Sequence, residues 1–123
     1  MVELSVEEEE VVRRAFDNLE FETDKALIRP VSYTPLNELA ALLSEHPTWK
    51  LRITGHTDNM GTAEWNMDLS RRRAEAVRDY ISNRGITSDR FLVFWYGEER
   101  PIADNNTTAG RQRNRRVEME IVE

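Results

Sequence analysis

The chain has 123 residues, 17 basic and 23 acidic, giving a formal net charge of −6, with 39% hydrophobic and 33% charged positions. That is the size of one domain and an ordinary soluble composition, neither disordered nor membrane-spanning. No apolar run approaches the roughly 20 residues that a spanning helix needs, and the longest, Phe91 to Tyr96, is strand-sized. Zero cysteines exclude a disulfide framework, a thiolate zinc site, a lipid-modified cysteine and a thiol nucleophile, without fixing the compartment.

The start, Met1 to Glu10, has no basic n-region and no apolar h-region, so this stretch is expected to carry no secretion signal. If the parent protein is exported, the chain is an excised domain. Charge is uneven: residues 1–24 hold nine acids against Arg13 and Arg14, whereas residues 71–116 hold eleven arginines against six acids. Lys25 and Lys50 are the only lysines. Arginine is favoured where an anion is recognised through a planar, bidentate contact, so the bias points toward recognition.

In chain order, Ser5 with Glu8 three residues on forms a capping box that opens a helix over roughly residues 6–16. Leu19 and Phe21 alternate with Glu20 and Glu22, the pattern of a half-buried strand. Thr34 as N-cap and Pro35 at the first helical position start a second helix with Leu36, Leu39, Ala40 and Leu43 on one side, ended by His46-Pro47. Leu51 and Ile53 alternate with Arg52 and Thr54 as a strand that runs into Gly55-His56-Thr57-Asp58 and a turn at 59–61. A long helix follows from about Thr62 to Asn83, closed by Gly85 at C′. Phe91 to Tyr96 reads as a strand covered on both faces or lying at an edge against a helix, residues 97–110 as a loop, and Val117, Met119 and Ile121 as the apolar side of a last strand. The order βαβαββ with an extra N-terminal helix predicts an α+β fold, a two-layer sandwich with helices on one face of a mixed sheet, occupying 1–123 as a single domain with 1–17 as an acidic extension.

Two arginines break the pattern. At 100° per residue from Asn66, the residues Leu69, Ala74, Val77, Tyr80 and Ile81 fall in one stripe, and Arg73 falls inside it at about −20°. Arg71, Arg72, Arg78 and Asp79 point the other way. A buried guanidinium without a partner is very costly, so something acidic should meet Arg73. Alternation in the last strand puts Arg115 and Arg113 on the side of Val117 and Met119, and Arg116 with the solvent-facing glutamates. The plainer alternative is that such arginines pack their stems and leave their heads in water.

Asp58 is the natural counterpart, at the carboxyl end of a strand just before the long helix. A carboxylate and a guanidinium at one crevice match the ammonium and carboxylate of an amino-acid head group. A structural salt bridge between Asp58 and Arg73 would use the same residues. His56 and Asp58, two apart on a strand, could act as a base and its orienter, but no nucleophile lies beside them in sequence. Two histidines, with His46 at a helix end, argue against a metal site. The arginine clusters with Trp95 and Tyr96 suggest nucleic acid, against which stand the acidic total and the scarcity of lysine.

The series Gly55-His56-Thr57-Asp58, Asn66, Leu69-Ser70-x-x-Arg73-Ala74, Tyr96-Gly97, Pro101, Asn105-x-Thr107, Gly110-Arg111 and Asn114-Arg115-Arg116-Val117 resembles the OmpA-like C-terminal peptidoglycan-binding domain. That domain also occurs in peptidoglycan-associated lipoproteins and flagellar stator proteins, and the resemblance covers roughly Leu19 to Val122. It implies the same sandwich and a non-covalent, non-catalytic grip on the diaminopimelate of the peptidoglycan stem peptide, with no cofactor. By the match, Asp58 and Arg73 would hold the amino and carboxylate groups, with Thr57, Asn66 and Arg115 lining the pocket. Asp24, a further candidate ligand contact by the match, stands where the family commonly has asparagine or glycine after the threonine, and Trp95, where the family often has glycine, would pack on the core or narrow the site. The resemblance further implies a periplasmic module that tethers an outer-membrane or envelope protein to the cell wall, with peptidoglycan as partner, no nucleic acid and no membrane insertion of its own. The alternative is a structural or protein-interaction domain that keeps the fold without the ligand.

Overall fold

A computed structural model of the chain describes residues 2–123, Met1 lying outside the described residues. Helix α1 spans Val6–Asp17, α2 Tyr33–Glu45, β1 Lys50–His56, α3 Ala63–Ser82, β2 Phe91–Trp95, α4 Thr108–Asn114 and β3 Arg116–Val122. The strands form one mixed sheet in the order β2-β1-β3. β2 runs parallel to β1, with Ile53 beside Val93, and β3 runs antiparallel to it, with Ile53 beside Met119. The α+β sandwich expected from the sequence is therefore present. Among the described residues no helix is long and apolar enough to cross a membrane.

The helices cover one face of the sheet. Leu36, Leu39 and Leu43 of α2 and Ala74, Val77 and Ile81 of α3 meet Leu51 and Ile53 of β1 and Val117, Met119 and Ile121 of β3 in one buried cluster, with Ala15 of α1 at its edge. Each large apolar side chain fully removed from water there contributes about 1.5–3 kcal/mol. The other face of the sheet is open, and carries Arg52, Thr54 and His56 beside Glu118 and Glu120.

Both halves of the capping box at Ser5 and Glu8 form, and α3 starts at the Thr62 N-cap and ends at the Asn83 C-cap, as the sequence implies. Gly85, with φ +97°, sits one position beyond C′. The second helix begins differently. A 3₁₀ turn at Pro30–Ser32 runs straight into α2, so Thr34 lies inside the first turn and caps nothing. Pro35 is tolerated there because the first N–H groups of a helix lack intrahelical partners in any case.

The predicted strand at Leu19–Glu22 is a single antiparallel bridge, Phe21 to Ile28. The bridge is made by Glu22 N donating to the Leu27 carbonyl and Arg29 N to the Glu20 carbonyl, each at 2.8 Å, within one local loop, and Glu20 N donates to the Ser32 hydroxyl at 2.8 Å instead of extending the pairing. Within the predicted 97–110 loop, α4 begins at Thr108 behind a Thr107 cap, the hydroxyl accepting from Gly110 N at 2.9 Å. Gly110 is glycine for a steric reason, since a Cβ there would stand 1.8 Å from the Asp104 carbonyl oxygen. Because α4 occupies 108–114, the strand alternation does not reach Arg113, which lies exposed on the helix.

Candidate functional site

Three close approaches build the site. A Cβ at Gly55 would come 2.2 Å from the Ser70 carbonyl oxygen, so any side chain there would push α3 off β1. The Ser70 hydroxyl donates to Met67 O at 2.8 Å and accepts from Gly97 N at 3.0 Å. Gly97 O in turn accepts from Thr57 N at 2.9 Å. The exit of β1, the middle of α3 and the loop after β2 are thereby locked together. Asp58, three residues beyond Gly55, and Arg73, three beyond Ser70, are carried to one cleft.

That cleft has a volume of about 960 Å³, and Asp24, Thr57, Asp58, Asn66, Arg73 and Arg115 all line it. Arg73 is buried, as its position in the apolar stripe predicts. Its Nε donates to Lys25 O at 2.9 Å and its Nη2 to Glu22 O at 3.4 Å, and the Phe21 ring lies 5.0 Å from the guanidinium carbon. Its Nη1 makes no hydrogen bond among the described residues. Burial pulls the Arg73 pKa down, against the nearby Asp24 charge, which lifts it. Carbonyls supply partners without cancelling the charge, so the guanidinium stays a cation facing the cleft.

Asp58, also buried, does not form the salt bridge to Arg73 that the sequence leaves open. Its Oδ2 takes Arg115 Nη1 at 2.6 Å, and its Oδ1 accepts from Met60 N at 2.9 Å. Arg115, at the C-cap of α4, therefore does turn inward, with 41% of its side chain still exposed. Thr57 turns its hydroxyl back onto Asp58 O at 2.8 Å, and Asn66 Nδ2 ties Met60 O at 2.9 Å and Glu98 Oε1 at 3.3 Å. Both are buried braces of the Asp58 turn. Asp24 takes φ +57°, the left-handed conformation that glycine and asparagine adopt most easily and aspartate tolerates.

Two other expectations resolve. Trp95 stands on the edge strand, 37% exposed, and is not among the residues lining the cleft, so it does not narrow it. His56 faces the open side of the sheet, away from Asp58, which ends the base-and-orienter pairing. Its Nε2 lies 3.4 Å from Glu118 Oε1 but is poorly aligned, and both ring nitrogens are buried without a hydrogen-bond partner among the described residues. Arg116 shares that face with the glutamates as predicted. Its side chain is nonetheless buried, pairing with Glu118 at 2.8 Å.

Asn114 is a residue whose role the sequence does not announce. It is wholly buried and makes four hydrogen bonds: its Oδ1 accepts from Ile102 N and Ala103 N, and its Nδ2 donates to Ala103 O and Asn105 Oδ1, all at 2.8–3.0 Å. These bonds pin the loop after Pro101 to the end of α4 and so set where Arg115 begins. The Thr107 cap is the available signal, but α4 has no apolar stripe to reinforce it.

Fold and cleft define a class, the α/β sandwich that presents buried, opposite charges at the carboxyl end of its central strand. The chain belongs to the OmpA family, whose profile matches residues 20–115. It is 43% identical over 113 residues to outer membrane porin F of Pseudomonas aeruginosa, covering 91% of this chain and 32% of that protein. It is 37% identical over 101 residues to the peptidoglycan-associated lipoprotein of Brucella melitensis, covering 82% of this chain and 60% of that one. The crystal structure of the peptidoglycan-associated lipoprotein from Burkholderia pseudomallei superposes with a TM-score of 0.76 at 30% identity, over 84% of this chain and 86% of that one. The chain thus spans from about a third to 60% of the length of these curated relatives.

Proposed function

We propose that the chain is a non-catalytic peptidoglycan-binding module that grips the diaminopimelate of the stem peptide and anchors an envelope protein to the cell wall, working in the periplasm with 1–123 as one domain. The observation that carries this reading is the pair of buried, opposite charges in one cleft, with Arg73 held by carbonyls so that its charge is not cancelled from within. A free amino-acid head group offers an ammonium for Asp58 and a carboxylate for Arg73. Asp58 already holds Arg115 at its Oδ2, so the ligand's ammonium joins or displaces that guanidinium. Thr57 and Asn66 support the turn that aims Asp58, and Asp24 adds negative charge at the rim. Relatives named as peptidoglycan-associated support the same partner.

The test is chemical. Lysine at the third stem position keeps the side-chain ammonium but lacks the second carboxylate, which would leave Arg73 desolvated and without an anion. NMR titration with the two stem peptides should show binding of the diaminopimelate form at least about tenfold tighter, since an unpaired buried charge costs more than about 1.4 kcal/mol. Equal affinities would make Arg73 a purely structural residue and overturn the assignment.

A further inference from the structure

The cleft has an apolar half that the head-group chemistry leaves unexplained. Met60 and Trp65 line it beside Asp58 and Asn66, yet they are 61% and 45% exposed. Trp65 sits in the first turn of α3, its amide bound to the Thr62 hydroxyl at 3.0 Å. Gly61 lies along the indole, where a Cβ would stand 3.6 Å from Cδ1, and Arg72, tied to Asp68 at 2.9 Å, lies 5.9 Å from the ring centre. The backbone around the ring is fixed as well: Met60 N is bound to Asp58 Oδ1 and Met60 O to Asn66. With Arg72 over the ring on one side, the indole still offers exposed apolar surface on the same rigid turn that aims the Asp58 carboxylate.

An exposed tryptophan beside a polar pocket, with a methionine next to it, is the composition of a binding surface, not of ordinary solvated surface. Resting on the peptidoglycan reading above, we infer that Trp65, flanked by Met60, is a sugar subsite: the apolar C–H face of the aminosugar that carries the stem peptide stacks on the indole while the head group occupies Asp58 and Arg73. A pyranose suits this surface because one of its faces is made of C–H bonds, whereas its rim of hydroxyls can remain in water, as an exposed site requires. The module would then read the junction of glycan and peptide, and would discriminate glycan-attached stems from free peptide.

The experiment is isothermal titration of the chain with a diaminopimelate tripeptide and with the same tripeptide on its disaccharide, each against wild type, Trp65→Ala and Trp65→Phe. Wild type should bind the disaccharide form about tenfold more tightly than the bare peptide, the scale of one good aromatic contact. Trp65→Ala should remove that gain and leave bare-peptide affinity unchanged, and Trp65→Phe should keep part of it. Equal binding of the two ligands by wild type overturns the sugar subsite while leaving the head-group reading intact. A loss of bare-peptide affinity in Trp65→Ala overturns it as well, since the ring would then be touching peptide. Failure of wild type to bind either ligand overturns the peptidoglycan reading, and the sugar subsite with it.

Discussion

The two sides of the sheet use arginine in different ways. On the open side, Arg52 meets Glu120 at 2.8 Å directly across the β1–β3 pairing, Arg116 meets Glu118 at 2.8 Å, and Arg100 lies 3.6 Å over the Tyr96 ring. Two of those cations have a carboxylate of their own, so that face is close to electrically closed. In the cleft, Arg73 is held by two carbonyls and a ring, and Arg115 pairs with Asp58. The partners differ in what they leave of the charge, although carbonyl partners alone do not mark a site: Arg90, outside the cleft, is held by the Trp49, Leu43 and His46 carbonyls at 2.6–2.8 Å. A carboxylate neutralises the cation in place, whereas a carbonyl orients it and leaves its charge for something else.

The largest expected effect tests that distinction. Asp58→Ala and Arg73→Ala should each abolish retention on purified sacculi, a loss of about 2–5 kcal/mol for one partner of a buried, hydrogen-bonded charge contact. Arg52→Ala on the open face should retain binding, because it removes only a surface ion pair. Circular dichroism and thermal unfolding of each variant separate lost binding from lost fold. Wild-type retention by either cleft variant would place the two faces on the same footing.

A smaller effect belongs to the open face. Burial, and after it the Arg116 charge, hold the His56 pKa below its ordinary 6.5, with Glu118 pulling the other way and Arg100 reinforcing the depression; Tyr96 stacks on the ring. The unfolded chain therefore takes up a proton at this residue at a higher pH than the folded one does. Stability contributed by neutral His56 is fully present above pH 6.5, declines as pH falls below it, and levels off once the depressed folded value is passed. The slope is at most about 1.4 kcal/mol per pH unit. Urea unfolding of wild type and His56→Gln between about pH 7.5 and 5.5 should show the variant with the flatter profile. Parallel profiles would mean that His56 titrates alike in both states.

Arg73 is legible in the sequence because helical periodicity is rigid: a residue four positions past Leu69 and four before Val77 has to share their face. Asp58 is legible from its place at a strand end. Their relation is not, because whether Asp58 reaches Arg73 or Arg115 depends on where α4 ends, and α4 lacks the apolar stripe that makes a helix visible in sequence. The first strand fails for a complementary reason. Its alternation is real, with Leu19 and Phe21 packed on the core, but alternation says which side faces inward and not which amide bonds to which carbonyl. Ser32 and Leu27 take those amides. The buried Asn114 shows the same limit, since its four hydrogen bonds join segments whose proximity only the folded chain reveals.

The smallest expected effect comes from arginines whose side chains do not line the cleft, although Arg72 lies 5.9 Å from the centre of the Trp65 ring. Arg71 meets Asp68 at 2.7 Å and Glu75 at 3.1 Å, and Arg72 meets Asp68 at 2.9 Å, all on the outer surface of α3. Helix-surface pairs of this kind contribute about 0.3–0.5 kcal/mol each, and their cations already have carboxylate neighbours. A nucleic-acid protein would depend on these two residues, losing about one unit of salt slope for each phosphate contact removed. A wall-binding module should not, because neither side chain lines the cleft. Replacing both with glutamine should change sacculus retention less than about twofold, which is under 0.5 kcal/mol. In parallel, retention on DNA and RNA columns at about 50 mM and 200 mM salt should be negligible for wild type and variant alike, over the range in which phosphate contacts weaken most visibly. Tight, salt-sensitive retention that the double substitution removes would mean that the outer face of α3, and not the cleft, is where this chain recognises its partner.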